Sequence, residues 1–429
     1  MVTSKELLDS RSRGSTALVL GGGGARGAYQ AGVIRAIARR YPELDLPILT
    51  GISAGAINAV FLAARSGNLE SGAEQLANLW LSLTPESVYR VDTQSLVSNV
   101  IRWGWRLISG GIGNAREPTR GLVDTSPLLQ SLARAFSAKG GTPIPGIDEN
   151  IARGSLHAIA LSATSYSTGQ SVTWVQGRDV ALWQRPQRRS ALAKLAIDHV
   201  MASSALPLLF PATRVDGEWY GDGGIRLTAP LSPALHLGAA RILTISTRYP
   251  RSRTEANVSQ IIGYPPPAQV LGVLYNSVFL DVIDQDILRL ELINRMLRDV
   301  PKQHRDGMRS VDILVLRPSR DLGKMARLFE PRLPTTFRFL TRGLGTRGTT
   351  SPDILSLLMF QRDYLEALIE LGERDTEAEM GRIDEFLGRP SAENGETVEI
   401  AGQERGADAE SPDDALAIES PTAVSGFDE

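Results

Sequence analysis

The sequence predicts an α/β fold: a central, mostly parallel sheet flanked by helices, with a helical C-terminal extension. Three observations carry this. "TALVL" (16–20) is a short apolar run stopped by four glycines and followed by the helical spacing of "AYQAGVIRAIARR" (28–40). The same order repeats at once in "ILTGIS" (48–53) and "AGAINAVFLAARSG" (54–67). Two successive strand–helix units need a crossover, and a crossover makes neighbouring strands parallel. Third, the texture turns helical after about residue 250.

The first helix ends on basic residues, which suit the negative end of its dipole, and Gly67 is expected to close the second. "LHAIALSATSY" (156–166) and "SVTWVQ" (171–176) read as strands joined by a turn at Gly169. A helical stretch over 189–202 follows, then a short strand pair within "TRVDGEWYGDGG" (213–224), a helix over 232–238 and the strand "RILTIS" (241–246). Residues 268–300 carry apolar residues at three-to-four spacing and read as one long amphipathic helix. The strand "DILVL" (312–316) and helices over 323–342 and 353–372 complete the ordered part. No internal repeat is visible.

Composition narrows the chemistry. With 429 residues, 42% hydrophobic and 22% charged, the chain fits a soluble protein of two or three domains rather than a disordered one. It contains no cysteine, so disulfides, thiolate nucleophiles and cysteine metal sites are excluded. Its four histidines (His157, His199, His236, His304) make a histidine metal cluster improbable. The polar segment 1–14 lacks the apolar core of a secretory signal, and the uncharged span 256–280 is broken by Pro265, Pro266 and Pro267. The expected location is cytoplasmic. Residues 390–429 hold eleven acids against Arg405 alone, so residues 1–389 keep 45 basic and 37 acidic residues, a net of +8. The acidic segment from 389 onward is expected to be a disordered tail, and the basic body suits an anionic membrane surface, not nucleic acid.

Chemistry concentrates at three places. Gly51-Ile52-Ser53-Ala54-Gly55 puts a serine between a strand and a helix, as in a nucleophile elbow. Gly51 and Gly55 leave room for strand and helix to cross, and free amides at the helix start, Ala54 first, face any charge that develops at Ser53. Second is the loop Gly22-Gly23-Gly24-Ala25-Arg26-Gly27. Its spacing also satisfies a dinucleotide fingerprint, but that reading wants an acid after the second strand, and Asp45 precedes it. No Gly-Lys-Ser/Thr follows, so a Walker loop fails as well. An acyl-transfer site instead needs backbone amides aimed at an oxyanion, and consecutive glycines permit that, with Arg26 adding positive charge. Third is the proton acceptor. Each histidine falls in a helix, at a strand start or in a charged connector, whereas Asp222-Gly223-Gly224 closes a short strand at a sharp turn. A desolvated Asp222 can accept the Ser53 proton directly.

In this order, the glycine loop, Gly51–Gly55 and Asp222-Gly223-Gly224 resemble the patatin-like phospholipases, as does "MASSALPLLFPA" (201–212). The resemblance covers about residues 15–245 and implies a catalytic domain there, with a mainly helical region over 246–388 packed upon it. It implies a three-layer fold, a Ser-Asp dyad of Ser53 and Asp222, and an oxyanion hole from the loop amides. No metal or cofactor is called for, and the implied substrate is a phospholipid or other lipid ester. Thr228-Ala229-Pro230 departs from the asparagine that many members place before this proline. A catalytically inactive lipid-binding scaffold and a dinucleotide-binding protein stay open as alternatives. Residues 95–113, with Trp103, Trp105, Arg102 and Arg106, read either as a membrane-touching cap or as a helix packed through its tryptophans. Head group, acyl preference and oligomeric state are not legible.

Overall fold

The computed structural model describes residues 15–90, 121, 123–258, 264–334, 337–338 and 353–388. The N-terminal segment 1–14, the tryptophan–arginine segment 95–113 and the acidic tail 389–429 lie outside the described residues. Ten strands make one sheet: β1 (Thr16–Leu20), β2 (Ile48–Gly51), β3 (Ala158–Ser165), β4 (Ser171–Gly177), β5 (Gln184–Arg185), β6 (Arg188–Leu192), β7 (Thr213–Val215), β8 (Glu218–Asp222), β9 (Arg241–Ile245) and β10 (Asp312–Leu316). Their order is β10-β9-β1-β2-β3-β4-β6-β5, with β8 pairing β3 and β7. From β10 to β3 every pair is parallel, and antiparallel pairing begins at β3–β4.

The principal helices are α1 (Gly27–Arg40), α2 (Ala54–Ala63), α3 (Leu69–Ser82), α4 (Ile197–Ser203), α5 (Pro267–Phe279), α6 (Asp281–Arg298), α7 (Asp353–Leu358) and α8 (Arg362–Ala378). Strand alternation sorts the core into two layers. Leu18, Leu20, Leu49 and Ile159 pack with α1, α2 and α8 on one face. Ala17, Val19, Ile48 and Ala158 pack with Ile283, Ile287 and Leu290 of α6 on the other. The central strands are therefore apolar on both faces, as parallel strands between helical layers must be. Helices α1 and α8 cross almost backbone to backbone. A Cβ at Gly32 would lie 2.1 Å from the Ile369 carbonyl oxygen, and one at Gly372 would lie 2.4 Å from that of Tyr29.

Four boundaries differ from the sequence expectation. Helix α2 ends at Ala63, ahead of Gly67. Residues 188–192 form β6, because the outer edge of β4 needs backbone partners; the helix starts only at Ile197. The long helix over 268–300 breaks at Leu280 (φ −115°), where Asp281 and Asp284 favour a new helix start. Helix 353–372 divides into α7 and α8, as the chain dips inward to bury Met359 and to stack Phe360 on Trp80 at 6.4 Å. No described helix is long and apolar enough to cross a membrane.

Strand order fixes where a site can form. The chain leaves β1 toward β2 on one side and returns later to β9 on the other. Loops after β1, β2 and β9 thus separate at the carboxyl ends of the strands, the usual position for a ligand crevice in such sheets.

Candidate active site

Ser53 sits in that crevice, between β2 and α2, with φ 55° and ψ −127°. A non-glycine residue held there stores on the order of 1–3 kcal/mol, so surrounding contacts must impose the geometry. They are visible. The Ser53 amide donates to Ser203 Oγ (3.1 Å), Ser204 Oγ donates to the Ser53 carbonyl (3.0 Å), and Ser203 Oγ donates to the Ser162 carbonyl on β3 (2.7 Å). The flanking glycines are steric requirements. A Cβ at Gly51 would approach the Gly55 carbonyl oxygen to 2.4 Å, and one at Gly55 would approach that of Leu20 to 2.2 Å.

Asp222 ends β8 and is fully buried, 0% exposed against 2% for Ser53. Its backbone is fixed through its amide to the Ala205 carbonyl (2.9 Å) and through its carbonyl, which accepts from Thr164 Oγ1 (2.9 Å). Oδ1 accepts from the Gly224 amide at 2.9 Å, while Oδ2 has no hydrogen-bond partner among the described residues. Burial pushes the carboxyl pKa up to about 7, against the smaller opposing pull of the Gly224 amide and the Ser53 hydroxyl. The hydroxyl thus acts on the carboxyl as a hydrogen bond would, although Oδ2 forms none. A separation slightly beyond a formed hydrogen bond reconciles the two. The structure brings Ser53 and Asp222 together.

The glycine loop runs beside them. A Cβ at Gly22 would lie 3.1 Å from Ser53 Cβ and 3.7 Å from Oγ. Loop carbonyls are tied back: Gly22 accepts from Thr247 Oγ1 (2.8 Å) and Gly21 from Gln30 Nε2 (2.9 Å). The buried amides of Gly22, Gly23 and Ala54 find no acceptor among the described residues. Buried amides are rarely left so, and they are the donors an anion would need. The Arg26 amide is spent on the Gly23 carbonyl (3.0 Å), and that of Gly27 on the Gly24 and Ala25 carbonyls. The Arg26 guanidinium, expected from sequence to lend charge to the loop, turns to Asp353 (2.6 Å) and Ser356 Oγ (2.7 Å) instead. Gly223 and Gly224 let the chain pass close to β3 and α5: Cβ atoms there would meet the Ser162 carbonyl oxygen and the Phe279 ring, each at 2.1 Å.

A cleft of about 420 Å³ adjoins Gly22 and Ile52, with apolar walls from Leu227, Phe279, Leu280 and Ile283. No described histidine hydrogen-bonds to Ser53. His199 Nδ1 accepts from the Ala196 amide and its ring meets Trp174 edge-on at 4.7 Å, while His236 stacks on Trp183. Sequence reading missed Ser203, Ser204 and Thr164 as supports, and Phe279 as a cover. The pair of hydroxyls in "ASSA" at a helix end was the available signal.

These features place the chain among α/β proteins that carry a strained serine turn at the carboxyl edge of a parallel sheet. More narrowly, the chain belongs to the patatin-like phospholipase family, whose model matches residues 18–235. No curated protein gives a match. Among solved structures it is similar to VipD from Legionella pneumophila, at 12% identity and TM-score 0.29, over 80% of this chain and 67% of that one. It is also similar to human GIVD cytosolic phospholipase A2 in complex with methyl gamma-linolenyl fluorophosphonate, at 13% identity and TM-score 0.42. That match covers 88% of this chain but only 59% of the human one. Likeness at this level says nothing about the chemistry of the present site. Family membership supports a lipid acyl hydrolase acting on a lipid ester.

Proposed function

We propose that the chain is a serine lipid acyl hydrolase that cleaves carboxylic esters of phospholipids or lysophospholipids through a Ser53–Asp222 dyad. One observation carries the reading: a buried carboxyl, its pKa pushed to about 7, lies beside a serine locked at positive φ. A base is most effective when its pKa lies near the working pH. Asp222 takes the Ser53 proton as Oγ adds to the ester carbonyl. The amides of Gly22, Gly23 and Ala54 receive the oxyanion, and the apolar cleft takes the acyl chain. Collapse expels the alcohol, which takes up the proton held by Asp222. Water then adds to the acyl-enzyme with Asp222 again as base, releasing the fatty acid and restoring Ser53. Residues 15–245 supply this machinery, and the helical region 246–388 packs over it. Where the membrane lies, peripheral contact with an anionic surface would bring the substrate.

The test is a purified protein given a mixed lipid extract, with released products identified by mass, alongside labelling by a fluorophosphonate. Ser53→Ala is expected to abolish labelling, and Ser53→Ala and Asp222→Asn each to reduce turnover by at least about a thousandfold while the fold persists. Near-normal turnover in either variant would overturn the dyad. A folded wild type that neither labels nor turns over would favour a lipid-binding scaffold.

A further inference from the structure

A second pocket, of about 250 Å³, lies across Leu227 from the Ser53 cleft; Leu227 lines both. Strand register builds it. In the parallel pair β4–β6, Ser171 stands beside Arg188 and Thr173 beside Ser190, so these side chains share one face. In the antiparallel hairpin β5–β6, Arg185 pairs directly with Arg188. Like charges directly opposite each other are destabilising, yet neither arginine forms an ion pair among the described residues. Arg185 Nη1 reaches only the Gln184 carbonyl, and Arg188 Nη1 is buried with no partner.

Edge strands do carry charge to discourage pairing, but that role needs the charge in solvent. Here the charge faces inward, and Ser171, 1% exposed, has an Oγ with no hydrogen-bond partner. Trp183 lines the pocket and stacks on His236 at 4.7 Å. Burial first, then the charges of Arg185 and Arg188, hold His236 below its usual range, so it stays neutral beside the two guanidiniums. Asp286 is close enough to Arg188 to feel its charge, but its carboxylate accepts from the Leu231 amide (2.9 Å) and forms no ion pair with the arginine. Two inward cations, an unpartnered hydroxyl and a nearly enclosed volume are complementary to a compact oxyanion.

We propose that this pocket is an anion subsite that holds the phosphate group of the lipid substrate while its ester lies at Ser53, an assignment that rests on the hydrolase reading. Phosphate is the shared chemistry of a headgroup and of the free ion, and two measurements separate them. The first titrates inorganic phosphate calorimetrically into the wild type and into Arg185→Gln/Arg188→Gln. The second compares kcat/KM for dihexanoyl phosphatidic acid with that for dihexanoylglycerol in both proteins. Loss of a charge-assisted contact is expected to weaken phosphate binding about tenfold and to shift the ratio of the two kcat/KM values about tenfold against phosphatidic acid. Should the double variant fail to fold, the exposed Arg185→Gln alone, or Ser171→Ala, carries the same test. Phosphate binding with an unchanged ratio would mean a free-phosphate site and overturn the headgroup assignment. No phosphate binding and no change in ratio would overturn the subsite altogether. If the wild type cleaves neither ester, the hydrolase reading and the headgroup assignment fall together, whereas an intact phosphate titration would still uphold the anion site.

Discussion

At the scale of single residues, the site turns on one carboxyl kept out of water. Asp222 has two jobs that conflict: it must ionise to accept a proton, and burial resists ionisation. Activity is therefore expected to rise with pH and level off near pH 7, where the carboxyl is half ionised; a pH profile of kcat/KM measures it. Stability runs the other way. The folded pKa of about 7 lies above the unfolded value of 3.8, so between these pH values the folded state binds more protons. The stability associated with Asp222 is full below about pH 4 and is lost as pH rises through 7. Asp222→Asn removes the charge, and at pH 8 it is expected to be more stable than wild type by on the order of 2–4 kcal/mol. Urea denaturation at pH 4 and pH 8 checks the sign: the difference should shrink toward pH 4. A variant less stable than wild type at pH 8 would show that the carboxylate is solvated or paired.

At the scale of elements, the turn after β2 owes its shape to neighbours that local sequence does not announce. Glycine at positions 51 and 55 was legible because the motif spaces them, and the contacts give the reason: a Cβ at Gly55 would meet the Leu20 carbonyl oxygen at 2.2 Å. Gly55→Ala has no flexible side chain to displace, so a loss of 3 kcal/mol or more, or failure to fold, is expected in a thermal melt. The end of α4 was not legible in this way. Its two serines hold the Ser53 amide and carbonyl, and nothing short of the tertiary fold brings residue 203 to residue 53. Ser203→Ala leaves a buried amide without a partner, which costs about 1–3 kcal/mol. It should also slow turnover with little change in KM, since the nucleophile loses its support and the apolar cleft keeps its walls. The misread segment 189–202 has a related cause. Its spacing suits a helix, but the edge of β4 takes residues 188–192 as a strand, a tertiary demand that overrides local preference.

At the scale of the whole molecule, strand order and the ligand crevice could be anticipated from two strand–helix units, but the way distant helices close over the glycine loop could not. Arg26 shows why. Read alone, it is a cation in an anion-binding loop; in the fold it lies with its side chain 3% exposed, paired to Asp353 at 2.6 Å. Asp353 in turn accepts from Asn276 Nδ2 of α5 at 2.7 Å, so one carboxylate joins the glycine loop, α5 and α7. Such a contact has no sequence signature, because its partners are more than three hundred residues apart. Removing one side of a buried pair strands the other charge, whereas replacing both by apolar groups often does not. Asp353→Ala is therefore expected to lose about 3–5 kcal/mol, and Arg26→Met/Asp353→Leu clearly less than the sum of the two single changes. Urea denaturation of the two single variants and the double variant measures the coupling. Turnover should fall with Asp353→Ala, because the Gly22 and Gly23 amides keep their aim only while the loop is held from behind. Strict additivity of the two changes would mean that the ion pair fastens nothing, and that the loop keeps its shape through the Gln30 and Thr247 hydrogen bonds alone.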